Sequence, residues 1–268
     1  MDNRAIGIFD SGLGGLTAVK TVRRLLPEEN IIYFADSGRA PYGGRSRDEL
    51  AVMALQDMDF LLRRGVKAVV AACGTVSSNV PELLEGCDVK AFGVVKSAAR
   101  AMAELPGDEP VGIIATEASI RSGSFKREIE ALGVRREIIC CPCPDFVPLI
   151  EGGHTESSDP LVREAVARYL EPMKRRGISA LLLGCTHYGI ISEAIGNYLG
   201  EGVALVSAAD SVSLELADYI AQNGLEGVGG SEEFYTSGSA ESFSRLASVF
   251  LGRSVSGINH ADAEEKVK

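Results

Sequence analysis

Long apolar runs are what this 268-residue sequence lacks first. No stretch approaches the roughly eighteen uninterrupted apolar residues of a membrane-spanning helix, so no membrane partner is expected. The opening Met1-Asp2-Asn3-Arg4 runs into Ala5-Ile6-Gly7-Ile8-Phe9 and then a polar turn, without the long apolar core of a secretory leader. A cytoplasmic location is expected, and with it six free thiols rather than a disulfide framework. Positive charge is also short: the formal net charge is −10, which argues against nucleic acid as a main partner. Neither G-x-G-x-x-G nor G-K-[ST] occurs at the first glycine-rich turn, so both nucleotide fingerprints are missing. Cys140, Cys141 and Cys143 lie close together, but there is no second CxxC and the three histidines are scattered. No metal site is expected, and the cluster reads as small buried residues on a strand.

What is present is a duplication. Arg63-Arg64-Gly65-Val66-Lys67-Ala68-Val69-Val70-Ala71-Ala72-Cys73 returns, 112 residues later and without a gap, as Arg175-Arg176-Gly177-Ile178-Ser179-Ala180-Leu181-Leu182-Leu183-Gly184-Cys185. Each copy reads as the basic last turn of a helix, a glycine stop, a buried strand and a cysteine at the strand's end. Ligands bind at the carboxyl ends of parallel strands. A site between two matched halves, with one thiol on either side, is the expectation.

Strand and helix patterns alternate through the chain. Strands are predicted at Ala5–Phe9, Ile31–Ala35, Val66–Ala72, Val89–Val95, Val111–Ala115, Ile138–Cys143, Val203–Val206 and Phe234–Thr236. Ser46 with Glu49 forms a capping box, and Asp159 caps a helix with Pro160 at its first position. Pro144–Pro148 leads to a loop at Ile150-Glu151-Gly152-Gly153. Later helices are predicted from about Ser211 and over Glu241–Leu251, and His260 to Lys268 is predicted to fray. The result is an α/β protein of two parallel-sheet lobes. The first lobe takes residues 1–96 and 211–268, and the second, 97–210, is inserted in it, with crossings near Lys96–Arg100 and Ser207–Asp210.

Two thiols facing across a cleft suit one reaction in particular. If one removes a proton from a carbon and the other returns a proton from the opposite side, the product is the mirror image. No redox step and no cofactor are called for. Cys73 is followed by Thr75 and Ser77, and Cys185 by Thr186 and His187, polar company that a merely buried cysteine does not require. The α-hydrogen of an amino acid is far less acidic than a thiol, so a closed site with positioned donors is needed. Asp10-Ser11-Gly12-Leu13-Gly14-Gly15, between strand and helix, is such a candidate for a carboxylate, or else a plain turn. Asp10 could equally cap the next helix, His187 be a satisfied imidazole and Glu151 a solvated loop acid.

Phe9-Asp10-Ser11-Gly12-Leu13-Gly14-Gly15-Leu16-Thr17, Pro41-Tyr42-Gly43, Ala115-Thr116-Glu117, Cys143-Pro144 with Phe146-Val147-Pro148-Leu149, and Gly184-Cys185-Thr186-His187-Tyr188 together resemble glutamate racemase. That family belongs to the cofactor-independent aspartate/glutamate racemases. The matches run in order from about residue 6 to 210, and the remainder resembles the family only in length and helical character. The resemblance implies that Cys73 and Cys185 are the acid/base thiols, with Asp10 assisting Cys73, and His187 and Glu151 assisting Cys185. It implies that Asp10, Ser11, Pro41, Tyr42, Gly43, Gly74, Thr75, Thr186 and His187 surround glutamate, with Thr116 and Ser119 as further candidates. It also implies a homodimer supplying D-glutamate for peptidoglycan.

Three departures accompany the resemblance. Gly74 stands where the family usually has Asn, Val94-Val95-Lys96-Ser97 where it has an acid and a proline, and Ser207 near a usual aspartate. They leave aspartate or a related amino acid as an alternative substrate. A thiol hydrolase built on Cys185, His187 and Glu151 leaves Cys73 without a task. A non-catalytic amino-acid-binding or regulatory homologue is the remaining alternative.

Overall fold

In the computed structural model, which describes residues 1–264, the duplicated strands occupy matching places in two separate parallel sheets. The first sheet contains β1 (Ile6–Asp10), β2 (Ile31–Ala35), β3 (Ala68–Ala71) and β4 (Lys90–Gly93). The second contains β5 (Val111–Ala115), β6 (Ile138–Pro142), β7 (Ala180–Leu183) and β8 (Ala204–Ser207). The order β2-β1-β3-β4 in one is repeated as β6-β5-β7-β8 in the other. The first sheet is extended past β2 by β9 (Glu232–Thr236) and β10 (Asn259–His260). All pairs are parallel, which is why the central strands are apolar throughout instead of alternating.

The repeat extends to single hydrogen bonds. Past the last paired residue of β3 the Ala72 N–H donates to Phe9 O at 2.9 Å, and past β7 the Gly184 N–H donates to Ile114 O at 2.7 Å. Each bond holds the chain in register one residue before a cysteine. Both thiols are thereby delivered at the carboxyl edge of their sheets.

Helices fill the crossovers. In the first lobe they are α1 (Leu16–Leu25), α2 (Arg47–Leu62), α3 (Gly74–Asn79), α4 (Glu82–Glu85) and α5 (Val94–Ala103). Around the second sheet come α6 (Glu117–Ser122), α7 (Ser124–Ala131), α8 (Phe146–Glu151), α9 (Pro160–Arg176) and α10 (Ser192–Leu199). The chain closes with α11 (Ala208–Gln222) and α12 (Ala240–Leu251). The capping box of α2 is present: Glu49 N–H reaches Ser46 Oγ at 3.3 Å and Ser46 N–H reaches Glu49 Oε2 at 2.9 Å. Asp159 caps α9 and Pro160 opens it. Gly65 and Gly177, the glycines of the two repeats, both turn left-handed, with φ of 68° and 72°. Among the described residues no helix is long and apolar enough to cross a membrane.

Several expectations are corrected. Val94 and Val95 open α5 rather than ending a strand, because Gly93 carries β4 straight into the helix. The stretches expected to carry the crossings between lobes, Lys96–Arg100 and Ser207–Asp210, are not overturned as crossings: they are helical, in α5 and at the start of α11, which pack against each other. The Pro144–Gly153 stretch contains α8, so Glu151 ends a helix instead of lying on a loop. Asn259 and His260 pair with β9 and Ala263 is buried, so the segment to Glu264 is docked, not frayed; residues 265–268 lie outside the described residues. Of the clustered thiols only Cys143 is buried, since β6 is an edge strand that leaves Cys140 exposed.

At the amino edge of the first sheet Lys67 Nζ is buried against Glu29 Oε2 at 2.5 Å, with the carbonyls of Asp2 and Leu225 at 2.7 and 2.6 Å. Glu29 Oε1 accepts the Gly227 N–H at 2.8 Å. The pair ties the amino terminus to the loop preceding β9, at the end of the sheet opposite the thiols.

Candidate active site

The carboxyl edges of the two sheets face one cavity of about 790 Å³. That is ample for an amino acid and a few waters. All fourteen residues singled out from the sequence line it. Asp10 and Ser11 come from the end of β1, Pro41 to Gly43 from the loop before α2, and Cys73 to Thr75 from the start of α3. Thr116 and Ser119 come from the start of α6, Glu151 from the end of α8, and Cys185 to His187 from the turn after β7. The thiols, 3% and 9% exposed, open onto this shared space and to little else.

Asp10 is the most enclosed charge in the site. Its carboxylate accepts the Ser11 N–H at 2.9 Å and the Gly15 N–H at 2.7 Å. Burial raises its pKa, against the pull of His187 and of those two amides. The Cys73 thiol meets Ser11 Oγ at 3.4 Å. Burial and the nearby Asp10 carboxylate push that thiol up to about 12, so Cys73 carries its proton at neutral pH. Tyr33 braces the loop from beneath, its hydroxyl donating to Gly12 O at 2.8 Å.

The opposite wall is a relay. Cys185 Sγ lies 3.8 Å from His187 Nδ1, and His187 Nε2 lies 3.0 Å from Glu151 Oε1. Burial works against the imidazolium, but the contacts with Cys185 and Glu151 outweigh it and raise His187 to about 10. The charged form of the imidazole is therefore favoured beside Cys185 near neutral pH. Phe250 of α12 packs edge-on against the His187 ring at 5.3 Å.

Three contributors were not visible in the sequence. A Cβ on Gly14 would stand 2.2 Å from His187 Nδ1 and 2.6 Å from Thr186 Oγ1, so this glycine lets the first loop meet the second lobe. Thr17 spans the same junction, its hydroxyl 3.1 Å from Thr186 O. Cys143 adds a third sulfur to the lining, with its carbonyl accepting from the Tyr188 hydroxyl at 2.9 Å. Gly74 was flagged as a departure, and its missing Cβ would approach Gly184 O to 3.0 Å across the lobe junction.

Duplicated parallel lobes with a thiol on each wall of the cleft are the arrangement that two-thiol racemisation calls for. The chain belongs to the Asp/Glu/hydantoin racemase family, whose sequence model matches residues 17–213. Within that family it is similar to glutamate racemases of several bacteria. It is 38% identical over 266 residues to glutamate racemase 2 of Caldanaerobacter subterraneus subsp. tengcongensis, covering 98% of this chain and 99% of the relative. It is 41% identical over 264 residues to glutamate racemase of Thermus thermophilus, covering 97% of each. Among solved structures, glutamate racemase from Francisella tularensis in complex with D-glutamate superposes with a TM-score of 0.89 at 32% identity, covering 98% and 99% of the two chains. The Thermus thermophilus enzyme in complex with β-chloro-D-alanine superposes with a TM-score of 0.86 at 40% identity, covering 97% and 98%. The aspartate racemase of Picrophilus torridus, at 18% identity and a TM-score of 0.59, shares the fold alone.

Proposed function

We propose that this protein interconverts L- and D-glutamate by moving protons at Cα between two thiols, and so supplies D-glutamate for peptidoglycan. The observation that carries the proposal is the shared cavity: Cys73 and Cys185 end equivalent strands and open onto it from different lobes. The Francisella relative with D-glutamate bound supports the choice of ligand.

In the L-to-D direction the Cys185 thiolate takes the α-proton and the Cys73 thiol gives one to the opposite face; the roles exchange in reverse. Cys73 suits the donor role because burial keeps it protonated. His187, held by Glu151, balances charge at Cys185, and Asp10 assists Cys73 at its own wall. The substrate backbone is assigned to Ser11, Thr75, Thr186 and the Pro41–Gly43 loop, with Thr116 and Ser119 beyond Gly74. Hydrogen-bond donors aimed at the carboxylate stabilise the charge that develops when the α-proton leaves, which is where most of the rate enhancement must arise. Both transfers are made by side chains of this chain, and the scheme calls for no cofactor. The division into residues 1–96 with 211–268 and residues 97–210, the cytoplasmic setting and the homodimer are proposed on the family resemblance.

The test is optical: L-glutamate incubated with the protein loses its rotation, while L-aspartate keeps it. Racemisation of aspartate instead would move the assignment to another substrate on the same thiols. A covalent acyl adduct on Cys185 without racemisation would favour the hydrolase reading.

A further inference from the structure

Behind the Pro41–Gly44 wall of the cavity lies a buried acidic cluster that the proton-transfer scheme does not use. Asp36, just past β2, and Asp57, in α2, are both fully buried. The Tyr42 hydroxyl sits between them, against Asp36 Oδ2 on one side and 2.9 Å from Asp57 Oδ2 on the other. Arg39 bridges the same two acids, with Nε 2.6 Å from Asp36 Oδ2 and Nη2 3.0 Å from Asp57 Oδ1. From the remaining neighbours, the Ser237 hydroxyl donates to Asp36 Oδ1 at 2.6 Å, while Gln56 and, at 3.6 Å, Glu264 meet Arg39 Nη1.

The protons in this cluster can be counted. Tyr42 has one hydroxyl hydrogen, and it goes to Asp36, whose charge Arg39 balances. The contact between Tyr42 Oη and Asp57 Oδ2 then needs a hydrogen of its own, and only Asp57 can bring it. With Arg39 the one cation between the two acids among the described residues, an ionised Asp57 would leave one uncompensated negative charge on a fully buried carboxyl, an expensive arrangement that protonation removes.

We propose that Asp57 is a positioning residue for substrate binding: it keeps a proton, donates it to the Tyr42 hydroxyl, and so fixes the Pro41–Gly44 loop as a wall of the cavity. Tyr42 is the only side chain of that loop rooted in the core, so the wall stands as firmly as the hydroxyl is held. Burial, the first and largest influence, and the neighbouring Asp36 both raise the Asp57 carboxyl, in keeping with this count. The inference rests on the racemase reading for the meaning of the cavity, but the proton on Asp57 can be measured without any substrate.

The experiment compares the wild type with Asp57→Asn and Asp57→Ala. Asparagine has the shape of a protonated aspartate, with an amide N–H for Tyr42 and a carbonyl for Arg39. Asp57→Asn is expected to hold KM for L-glutamate within about threefold of wild type, and Asp57→Ala to raise it about tenfold or more with kcat nearly unchanged, the signature of lost binding. In denaturant titrations from about pH 5 to about pH 8, the folded wild type keeps a proton that its unfolded chain releases. Its stability relative to Asp57→Asn therefore falls about tenfold in the unfolding equilibrium constant per pH unit. A wild-type-to-Asn difference that stays flat with pH overturns the buried proton. Equal KM increases in both variants, or none in Asp57→Ala, overturn the positioning role. If Asp57→Ala does not fold, Asp57→Asn decides alone: a tenfold KM increase there rejects the proposal and a near-normal KM with the pH-dependent gap upholds it. A wild type inert towards glutamate would reject the racemase reading while leaving the titration series to judge the proton.

Discussion

Glu151 Oε1 stands 3.0 Å from His187 Nε2, and the opposite ring nitrogen faces the Cys185 sulfur at 3.8 Å. Carboxylate, imidazole and sulfur form one line, running from the half-exposed end of α8 into the cavity. The carboxylate fixes which way the ring points and favours its charged form. The second wall of the site is therefore a relay that favours the charged imidazole, whereas at the first wall burial raises both the Cys73 thiol and the Asp10 carboxyl.

The relay predicts the alkaline side of the rate profile. His187 is raised from 6.5 to about 10, so its charge, and the folding contribution that charge makes, are in full below about 6.5 and vanish as pH climbs through about 10. Turnover is expected to hold through neutral pH and drop near pH 10. His187→Asn is expected to remove that drop and to lower kcat by about a hundredfold, as loss of an assisting acid–base group does. A profile from His187→Asn that keeps the wild-type alkaline limb contradicts the assignment.

Removing the relay's anchor makes a gentler change. Glu151→Gln is expected to shift the alkaline limb to lower pH, since Glu151 is one of the contacts that hold His187 protonated. Its carboxylate is half exposed, so the melting temperature is expected to stay close to that of the wild type. An unmoved limb would separate Glu151 from His187 in function.

The two thiols are expected to fail in opposite senses. Cys73→Ala stops net racemisation but leaves Cys185 able to exchange the α-hydrogen of L-glutamate with solvent. Cys185→Ala leaves the corresponding exchange only from D-glutamate. Proton NMR of each enantiomer in D2O reads this directly. Exchange from both enantiomers in either variant contradicts one thiol per face.

Gly14 tests the lobe junction. In Gly14→Ala the new methyl would meet His187 Nδ1 at 2.2 Å, so either the ring or the loop must shift. The expected result is a loss of stability of about 1–3 kcal/mol, as for other overpacked sites, together with a fall in kcat. Denaturant titration and steady-state rates measure the two effects. An unchanged rate would mean that the ring has slack.

Away from the site, Lys67→Met leaves Glu29 buried without its partner and is expected to cost about 3–5 kcal/mol in chemical denaturation. KM in the surviving folded enzyme is expected to stay put, because the pair lies at the opposite edge of the sheet. A raised KM would show coupling across the lobe.

How much of this was legible depended on how local the determining interactions are. Ile31–Ala35 and Val111–Ala115 were read to the residue, because a short apolar run between turn residues has one reading in an α/β chain. The candidate site was legible because parallel sheets gather strand ends, and short polar motifs followed the strands. Helix α8 was hidden by Pro144 and Pro148. Its first backbone bond is Leu149 N–H to Asp145 O at 3.1 Å, so Pro148 sits in a first turn where its missing N–H is not needed. The docking of Asn259–His260 onto β9 was hidden by charged surroundings, and the exposure of Cys140 by an edge position that only the strand order reveals. Asp57 was hidden for the same kind of reason: it joined the helix pattern of α2, and its meaning comes from Tyr42 and Asp36, which only the fold brings to it.

The most direct measurement incubates the protein with L-glutamate in D2O and follows optical rotation and Cα deuterium together. Rotation falling to zero as the label enters Cα, with D-glutamate converging on the same end point, is the predicted result. Rotation that persists, or that decays without label at Cα, would contradict proton transfer between Cys73 and Cys185.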